Sequence, residues 1–267
     1  MTKLLEGKVA IITGGGKAVT KAGDIGSIGY GIATAYAKEG ANLVLTGRNM
    51  EKLEEAKEEL EGLYGIKVLP IQGDVNADGD NETTVKRVVE EAISTFGKID
   101  VLVNNAQGSA SGVTLGDHTL EQFNLAIYSG LVATFLYMRE CYPHLKKTKG
   151  SVINFASGAG LSGNFGQSSY AAAKEGIRGL SRVAATEWAQ DDINVNIVCP
   201  LAFTKALEQW KNYQPEAYEK NVKNIPMGRF GHPENDIGRV CVQLATPDFK
   251  YMSGETLTLQ GGSGQRP

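Results

Sequence analysis

The chain has 267 residues, enough for a large buried core, and its 42% hydrophobic and 21% charged residues are typical of a globular protein rather than a disordered one. The net charge of −3 leaves no broad basic field, which argues against nucleic acid or an acidic membrane surface as a partner. Three scattered cysteines without a CxxC motif, and no apolar stretch of about 18 residues, predict free thiols in a cytoplasmic protein.

Short β-branched runs alternate with longer amphipathic segments along the chain. In chain order we expect the strand VAIIT, a Gly-rich loop, a helix over 27–38, the strand ANLVLT, a helix over 50–63, the strand KVLPIQ, a helix over 83–96, the strand IDVLVNN, a long helix over 120–145, and the strands SVINFA, INVNIV and TLTLQ. This alternation predicts βαβ units. The expected fold is therefore α/β, a single domain over residues 1–267 with a doubly wound, Rossmann-type parallel sheet of about seven strands and helices on both faces.

Glycines follow the first predicted strand and open the first predicted helix. The loop begins at Thr13-Gly14-Gly15-Gly16 and ends at Gly26-Ser27-Ile28-Gly29. Glycine lets the backbone approach a pyrophosphate, and a helix N-terminus directs N–H groups at it. This position between strand and helix predicts a dinucleotide site, with a plain turn as the alternative.

The second predicted strand ends at Thr46-Gly47-Arg48, without the carboxylate that would bind the ribose hydroxyls of NAD. Arg48 can clamp a 2′-phosphate through charge-assisted hydrogen bonds, which predicts NADP as the cofactor. Lys17 and Lys21 in the Gly-rich loop would add positive charge. The alternative for Arg48 is an ordinary solvated side chain.

Ser157, Tyr170 and Lys174 carry the strongest chemical signal. Tyr170 and Lys174 are four residues apart, on one face of a predicted helix. An ammonium about 4 Å from a phenol, at an effective dielectric near 20, supplies roughly the 3 to 4 kcal/mol needed to lower the phenol pKa by 2 to 3 units. We therefore expect Tyr170 as the acid/base, Lys174 as the group that lowers its pKa, and Ser157 as the donor to the substrate oxygen.

Ser129, Tyr142 and Lys146 repeat the same separations as a decoy. Ser129 and Tyr142 fall on one predicted helix, which places them about 20 Å apart, so they cannot converge. Tyr142 is therefore interpreted as a packing residue. The three histidines, His118, His144 and His232, are scattered and predict no metal site.

The chain resembles the short-chain dehydrogenase/reductase family through TGGG…SIGYGIA, QGDV, NNA, Ser157 with Tyr170-AAA-Lys174, and the closing RFGHPE…YMSGETLTLQGG. The resemblance implies that Asp74 and Val75 meet the adenine, that Lys174 also binds the nicotinamide ribose, and that the protein is a homotetramer. With the residues derived above, the candidate cofactor-binding set is Gly14, Ser27, Ile28, Gly29, Arg48, Asp74, Val75, Asn104, Ala106, Tyr170, Lys174, Pro200, Leu201 and Thr204.

Within this family the chain is similar to bacterial 12α-hydroxysteroid dehydrogenases in stretches such as GANLVLTGRN, LYGIKVLP, SVINFASGAG and the terminal GQRP. The resemblance implies a bile acid substrate, oxidised at its 12α-hydroxyl or reduced at its 12-oxo group. The apolar pocket would lie between the segment after Asn105 and a lid over residues 201–225, whose aromatic stretch has a subunit contact as its alternative. Reduction of a 3-oxoacyl thioester or a sugar, and a non-catalytic nucleotide sensor, remain alternative functions.

Four departures from the family pattern affect these expectations. The Gly-rich loop is longer, with residues 17–26 largely extra and Ser27 at the place of a glycine. Gln107 replaces the glycine of NNAG, and Leu201 replaces the glycine after Pro200. Gly130 occupies the position of the family's catalytic asparagine, for which Ser129 or a water would have to substitute.

Overall fold

The computed structural model describes residues 3–76 and 81–264. Seven strands form one parallel sheet in the order β3-β2-β1-β4-β5-β6-β7, which confirms the predicted fold class. The strands are β1 (Val9–Thr13), β2 (Asn42–Gly47), β3 (Val68–Gln72), β4 (Val101–Asn104), β5 (Ser151–Phe155), β6 (Asn194–Pro200) and β7 (Thr256–Leu259).

Helices cover both faces of this sheet. They are α1 (Ile28–Lys38), α2 (Met50–Tyr64), α3 (Asn81–Phe96), α4 (Leu120–Ala126), α5 (Ala133–Thr148), α6 (Gly158–Ser162), α7 (Ser168–Glu187), α8 (Lys205–Tyr213), α9 (Pro215–Lys223) and α10 (Arg239–Leu244). One large apolar cluster joins the sheet to α1, α2 and α10, a second joins it to α3, α5 and α7, and a third, small one contains Ala156, Ile197 and Cys199. The strands are apolar on both faces because each face is covered.

Proline and glycine explain two local features. Pro70 is tolerated in β3 because β3 is an edge strand that pairs with β2 alone, so the missing N–H need not serve a second neighbour. The helix expected over residues 120–145 is continuous, but its middle is a π-helical turn, Ile127–Val132, between α4 and α5. That turn contains Gly130, and π-helical turns occur often at functional sites.

None of the helices within the described ranges is both long and apolar enough to cross a membrane. The closing GQRP motif lies mostly outside the described residues, since only Gly264 of its four residues is described. The resemblance carried by that motif therefore has no structural counterpart here.

Candidate active site

The glycines after β1 form a cradle at the carboxyl edge of the sheet. Gly14 has a φ of +72°, which favours glycine, and a Cβ at Gly29 would lie 2.1 Å from the carbonyl oxygen of Gly14. Side chains at these positions would fill the space in which the β1–α1 loop meets the start of α1. Ser27 does not disturb this arrangement, since its hydroxyl caps α1 by accepting from Tyr30 N at 3.4 Å.

A cleft runs from this cradle across the ends of β1 to β4. It is lined by six of the predicted cofactor residues, namely Gly14, Arg48, Asp74, Val75, Asn104 and Ala106. Thr13 fixes the floor, because its hydroxyl accepts from the backbone N–H groups of Asn105 and Ala106 at 2.9 and 3.0 Å. The sequence analysis did not identify this role of Thr13, although a threonine at the end of the apolar run VAIIT can be noticed in the sequence. The structure shows that this threonine is buried.

The basic residues expected near the 2′ position have different environments. Arg48 lines the cleft with Asp74. Lys17 lies with its ammonium 2.6 Å from Glu59, whose hydrogen bond raises the pKa of Lys17, and Tyr30 donates to the same carboxylate at 2.5 Å. The charge of Lys17 is therefore largely neutralised by Glu59, and Arg48 is the stronger candidate.

Ser157, Tyr170 and Lys174 meet between the end of β5 and the first turns of α7. The Lys174 side chain is buried, and Nζ donates to the carbonyl oxygen of Phe155 at 2.7 Å while lying 5.5 Å from the centre of the Tyr170 ring. Ser157 lies directly after β5 and caps α6, accepting from Ala159 N at 3.1 Å. The structure brings together all three residues that the spacing singled out.

The pKa of Tyr170 moves in the direction opposite to the expectation. Burial of the phenol raises its pKa, and a hydrogen bond with Ser157 lowers it only in part. Burial also lowers the pKa of Lys174 to about 7, because its ammonium has left water for an apolar site. The expectation was wrong for the protein alone because it counted the attraction between phenolate and ammonium and omitted desolvation.

The decoy residues do not form a site. Tyr142 stacks on Trp188 with ring centres 4.9 Å apart, and its hydroxyl donates to Asp191 at 2.6 Å. Lys146 pairs with the same carboxylate at 2.8 Å. These contacts confirm the interpretation of Tyr142 as a packing residue on the outer side of α5.

The end of β6 and the loop after it carry the remaining predicted cofactor residues, Pro200, Leu201 and Thr204, to the same edge of the sheet. Leu201 N donates to Leu259 O at 2.9 Å, and the Thr204 hydroxyl caps α8. Helices α8 and α9 occupy the expected lid segment and have no fully buried residue. An aromatic cluster holds them, consisting of Phe203, Trp210, Tyr218 and Phe230.

The extra residues of the Gly-rich loop contact this lid. Val19 and Ile25 pair as an antiparallel bridge, so the insertion forms a small hairpin. The backbone N–H of Lys21 donates to the Glu208 carboxylate at 3.0 and 3.2 Å, and Lys205 N donates to Gly26 O at 2.8 Å. The hairpin thus joins the cofactor cradle to α8.

Ser129 does not stand in for the missing asparagine. Its hydroxyl donates its single proton to Leu125 O at 2.5 Å and accepts from Gly108 N at 2.9 Å, so that proton is engaged within its own helix. The side chain nearest to Gly130 is Gln107, whose amide atoms lie 2.5 to 2.7 Å from the position of a Cβ built on that glycine.

Comparison with known proteins places this geometry among dehydrogenases and reductases. Residues 22–263 match the family model described as Enoyl-(Acyl carrier protein) reductase. The chain is 70% identical over 264 residues to the 12alpha-hydroxysteroid dehydrogenase of a Clostridium species, covering 99% of both chains. It is 34% identical over 259 residues to the 3-oxoacyl-[acyl-carrier-protein] reductase FabG of Thermotoga maritima, covering 97% of this chain and 98% of the relative.

Solved structures give the same result. A short-chain dehydrogenase/reductase from Burkholderia xenovorans superposes with a TM-score of 0.88 at 27% identity, covering 99% of both chains. L-sorbose reductase from Gluconobacter frateurii, solved with NADPH and L-sorbose, also has a TM-score of 0.88, at 28% identity and with complete coverage of both chains.

Proposed function

Since this chain belongs to the short-chain dehydrogenase/reductase family, we propose that it transfers hydride between NADP(H) and the 12α position of a bile acid. The observation that carries the proposal is the meeting of Tyr170, Lys174 and Ser157 at the carboxyl edge of the same sheet whose first strands end at the cleft that starts at Gly14. The 70% identity to a 12alpha-hydroxysteroid dehydrogenase over nearly the whole chain supports the steroid as substrate.

The three residues divide the work on the protein side. In oxidation the Tyr170 phenolate takes the proton of the substrate hydroxyl, and in reduction the Tyr170 phenol gives a proton to the substrate oxygen. Ser157 donates to the substrate oxygen as charge develops on it. Lys174 supplies positive charge beside the phenol and binds the nicotinamide ribose. The nicotinamide, when bound, supplies or accepts the hydride.

The glycines at 14 and 29 fit a dinucleotide site, because without a Cβ the β1–α1 loop packs directly against the N-terminus of α1, the kind of helix end that binds a pyrophosphate. Arg48 would hold the 2′-phosphate, which makes NADP the preferred cofactor. We expect Arg48→Ala to raise KM for NADP+ about tenfold or more and to leave KM for NAD+ nearly unchanged, since a charge-assisted bond is lost. Arg182→Ala, an exposed arginine on α7, is the matched control. A wild-type preference for NAD+ would contradict the cofactor assignment.

Three bile acids that differ in their hydroxyl positions test the substrate. Cholate and deoxycholate carry a 12α-hydroxyl, whereas chenodeoxycholate carries only 3α- and 7α-hydroxyls. With NADP+ we expect turnover of the first two and none of the third. Rapid oxidation of chenodeoxycholate would reassign the position. Rapid reduction of acetoacetyl-coenzyme A without steroid turnover would favour the 3-oxoacyl reduction that the FabG relatives perform by name.

We also propose that the protein assembles as a homotetramer. The outer faces of α5 and α7 form an apolar groove, lined by Phe135, Met138, Tyr142, Leu180, Val183 and Trp188. Phe135 is 44% exposed and Val183 is 55% exposed in this groove, whose lining also includes Arg139 and Glu187, and adjacent exposed apolar side chains are typical of an interface. A groove made by two parallel helical faces suits a second copy of itself across a twofold axis.

A further inference from the structure

Gln107 and Gly130 compete for one small space beside the cleft. A Cβ on Gly130 would lie 2.5 Å from Oε1, 2.6 Å from Cδ and 2.7 Å from Nε2 of Gln107. No side chain can therefore stand at position 130 while the Gln107 amide keeps its place. On its other side the amide is fixed to the helix, because Nε2 donates to Ala126 O at 3.3 Å.

The carboxamide oxygen of Gln107 is buried and has no hydrogen-bond partner among the described residues. A buried acceptor without a partner destabilises the folded state, so it needs an explanation. Gln107 lines the cleft together with Asn105, Ala106 and Gly108. The residue that carries this buried acceptor therefore lines the cleft in which the reactants are proposed to bind.

The π-helical turn that contains Gly130 also contacts α7, the helix that carries Tyr170 and Lys174. Leu131, the residue after Gly130, packs against Gly176, where a Cβ would meet its Cδ2 atom at 2.7 Å. Gly176 follows Lys174 by two residues on α7. The amide of Gln107 is thus supported by the same π-helical turn that packs against the reactive helix.

We propose that Gln107 is a further functional residue of this site, whose carboxamide oxygen accepts a hydrogen bond from an O–H group bound in the cleft. The glycine at position 130 is what makes room for it. Two sources of that O–H group share this chemistry, a ribose hydroxyl of the cofactor and a water molecule on the proton path. The inference rests on the proposed function in so far as the cleft holds a dinucleotide.

Gln107→Met tests the acceptor, because methionine keeps the volume against Gly130 and removes the amide. NADPH affinity is measured by fluorescence titration, and kcat is measured from pH 6 to 10 with whichever alcohol the wild type oxidises. A ribose partner predicts NADPH binding about tenfold weaker, and a water partner predicts unchanged binding with kcat lowered about tenfold and its pH midpoint shifted. Gln190→Met, on an exposed turn, is the matched control.

The amide swap Gln107→Gly with Gly130→Asn gives the second arm. An asparagine at 130 would place its amide where the Gln107 amide now lies. The double variant should therefore recover most of the NADPH affinity or of the kcat that Gln107→Gly loses. Thermal unfolding verifies that each variant is folded. Unchanged NADPH affinity, kcat and pH profile in both Gln107→Met and Gln107→Gly would overturn the inference. Absence of bile acid turnover in the wild type would instead defeat the proposed substrate, while the NADPH titration and another alcohol still test Gln107.

Discussion

The charge state of Lys174 is set by its surroundings at the scale of single atoms. Its side chain is 3% exposed, and its ammonium donates to one neutral carbonyl, that of Phe155. A carbonyl dipole does not replace the hydration of a full positive charge, so the pKa of Lys174 falls to about 7. Near neutral pH this lysine therefore exchanges between its two charge states.

Removal of this buried charge should stabilise the protein at low pH. The lysine pKa is about 10.4 in the unfolded chain and about 7 in the folded protein, so stability rises as the pH increases from 7 to 10. Below pH 7 the wild type bears the full cost, roughly 4 to 5 kcal/mol. Lys174→Met should therefore exceed the wild type in unfolding free energy most at pH 6. The excess should vanish by pH 10, because the wild type then no longer bears the cost of the buried charge, whereas the variant still lacks the hydrogen bond to Phe155. Urea unfolding at pH 6, 8 and 10 measures this, and a difference independent of pH would contradict it.

Tyr170 should be essential to turnover and dispensable for cofactor binding. We expect Tyr170→Phe to lower kcat by at least 100-fold, because proton transfer by a positioned side chain contributes 10² to 10⁴. NADPH binding, measured by fluorescence, should change little, since the ring is retained. Tyr142→Phe is a control of identical chemistry and matched spacing, and it should cost only stability through the lost bond to Asp191. A Tyr170→Phe enzyme with near-normal kcat would remove the assigned role.

At the scale of elements, the hairpin of the Gly-rich loop links cofactor and lid. Glu208→Ala removes the charge-assisted hydrogen bond from Lys21 N to the carboxylate on α8, which stabilises this contact by about 1 kcal/mol. Because the hairpin connects both sites, we expect KM for NADP+ and for the steroid to rise together, each about threefold to tenfold. Glu90→Ala, an exposed glutamate on α3, is the control. A change in only one of the two KM values would mean that the two sites are not linked through this contact.

The elements were predictable from the sequence where one local pattern determines them. The apolar run Val9–Thr13 gives a buried strand because a parallel sheet covered on both faces needs no alternation. The π-helical turn at Gly130 leaves no such trace, since the periodicity continues through it. The hairpin contact with Glu208 and the placement of Gln107 against Gly130 depend on residues far apart in sequence. The rise in the pKa of Tyr170 could not be predicted from the sequence, because it depends on the burial of the ring, which only the fold determines.

At the scale of the whole molecule, the described residues form an apolar core on both faces of one sheet, and an apolar surface remains on the outer sides of α5 and α7. The cluster that joins α5 and α7 to the sheet uses the inner sides of those helices, among them Cys141 and Ala184. Their outer sides carry Phe135 and Val183, which are exposed. Covering apolar surface of this kind with a partner stabilises the assembly by about 25 cal/mol for each Å² removed from water. The reactive helix α7 is therefore also the helix that would lie at the interface between subunits.

A charge on this surface should separate the subunits. Val183→Asp places a carboxylate in the groove, where burial by a second copy would remove its water, and the arginine in the groove lining, Arg139, is already paired with Glu82 and Glu140. We expect sedimentation velocity to show tetramers for the wild type and smaller species for Val183→Asp, with a parallel loss of activity, since α7 also carries Tyr170 and Lys174. Leu63→Asp on α2 introduces the same charge at a side chain that is 64% exposed, outside the groove, and should remain tetrameric. If Val183→Asp sediments like the wild type, this face is not the interface, and its apolar residues require a different partner.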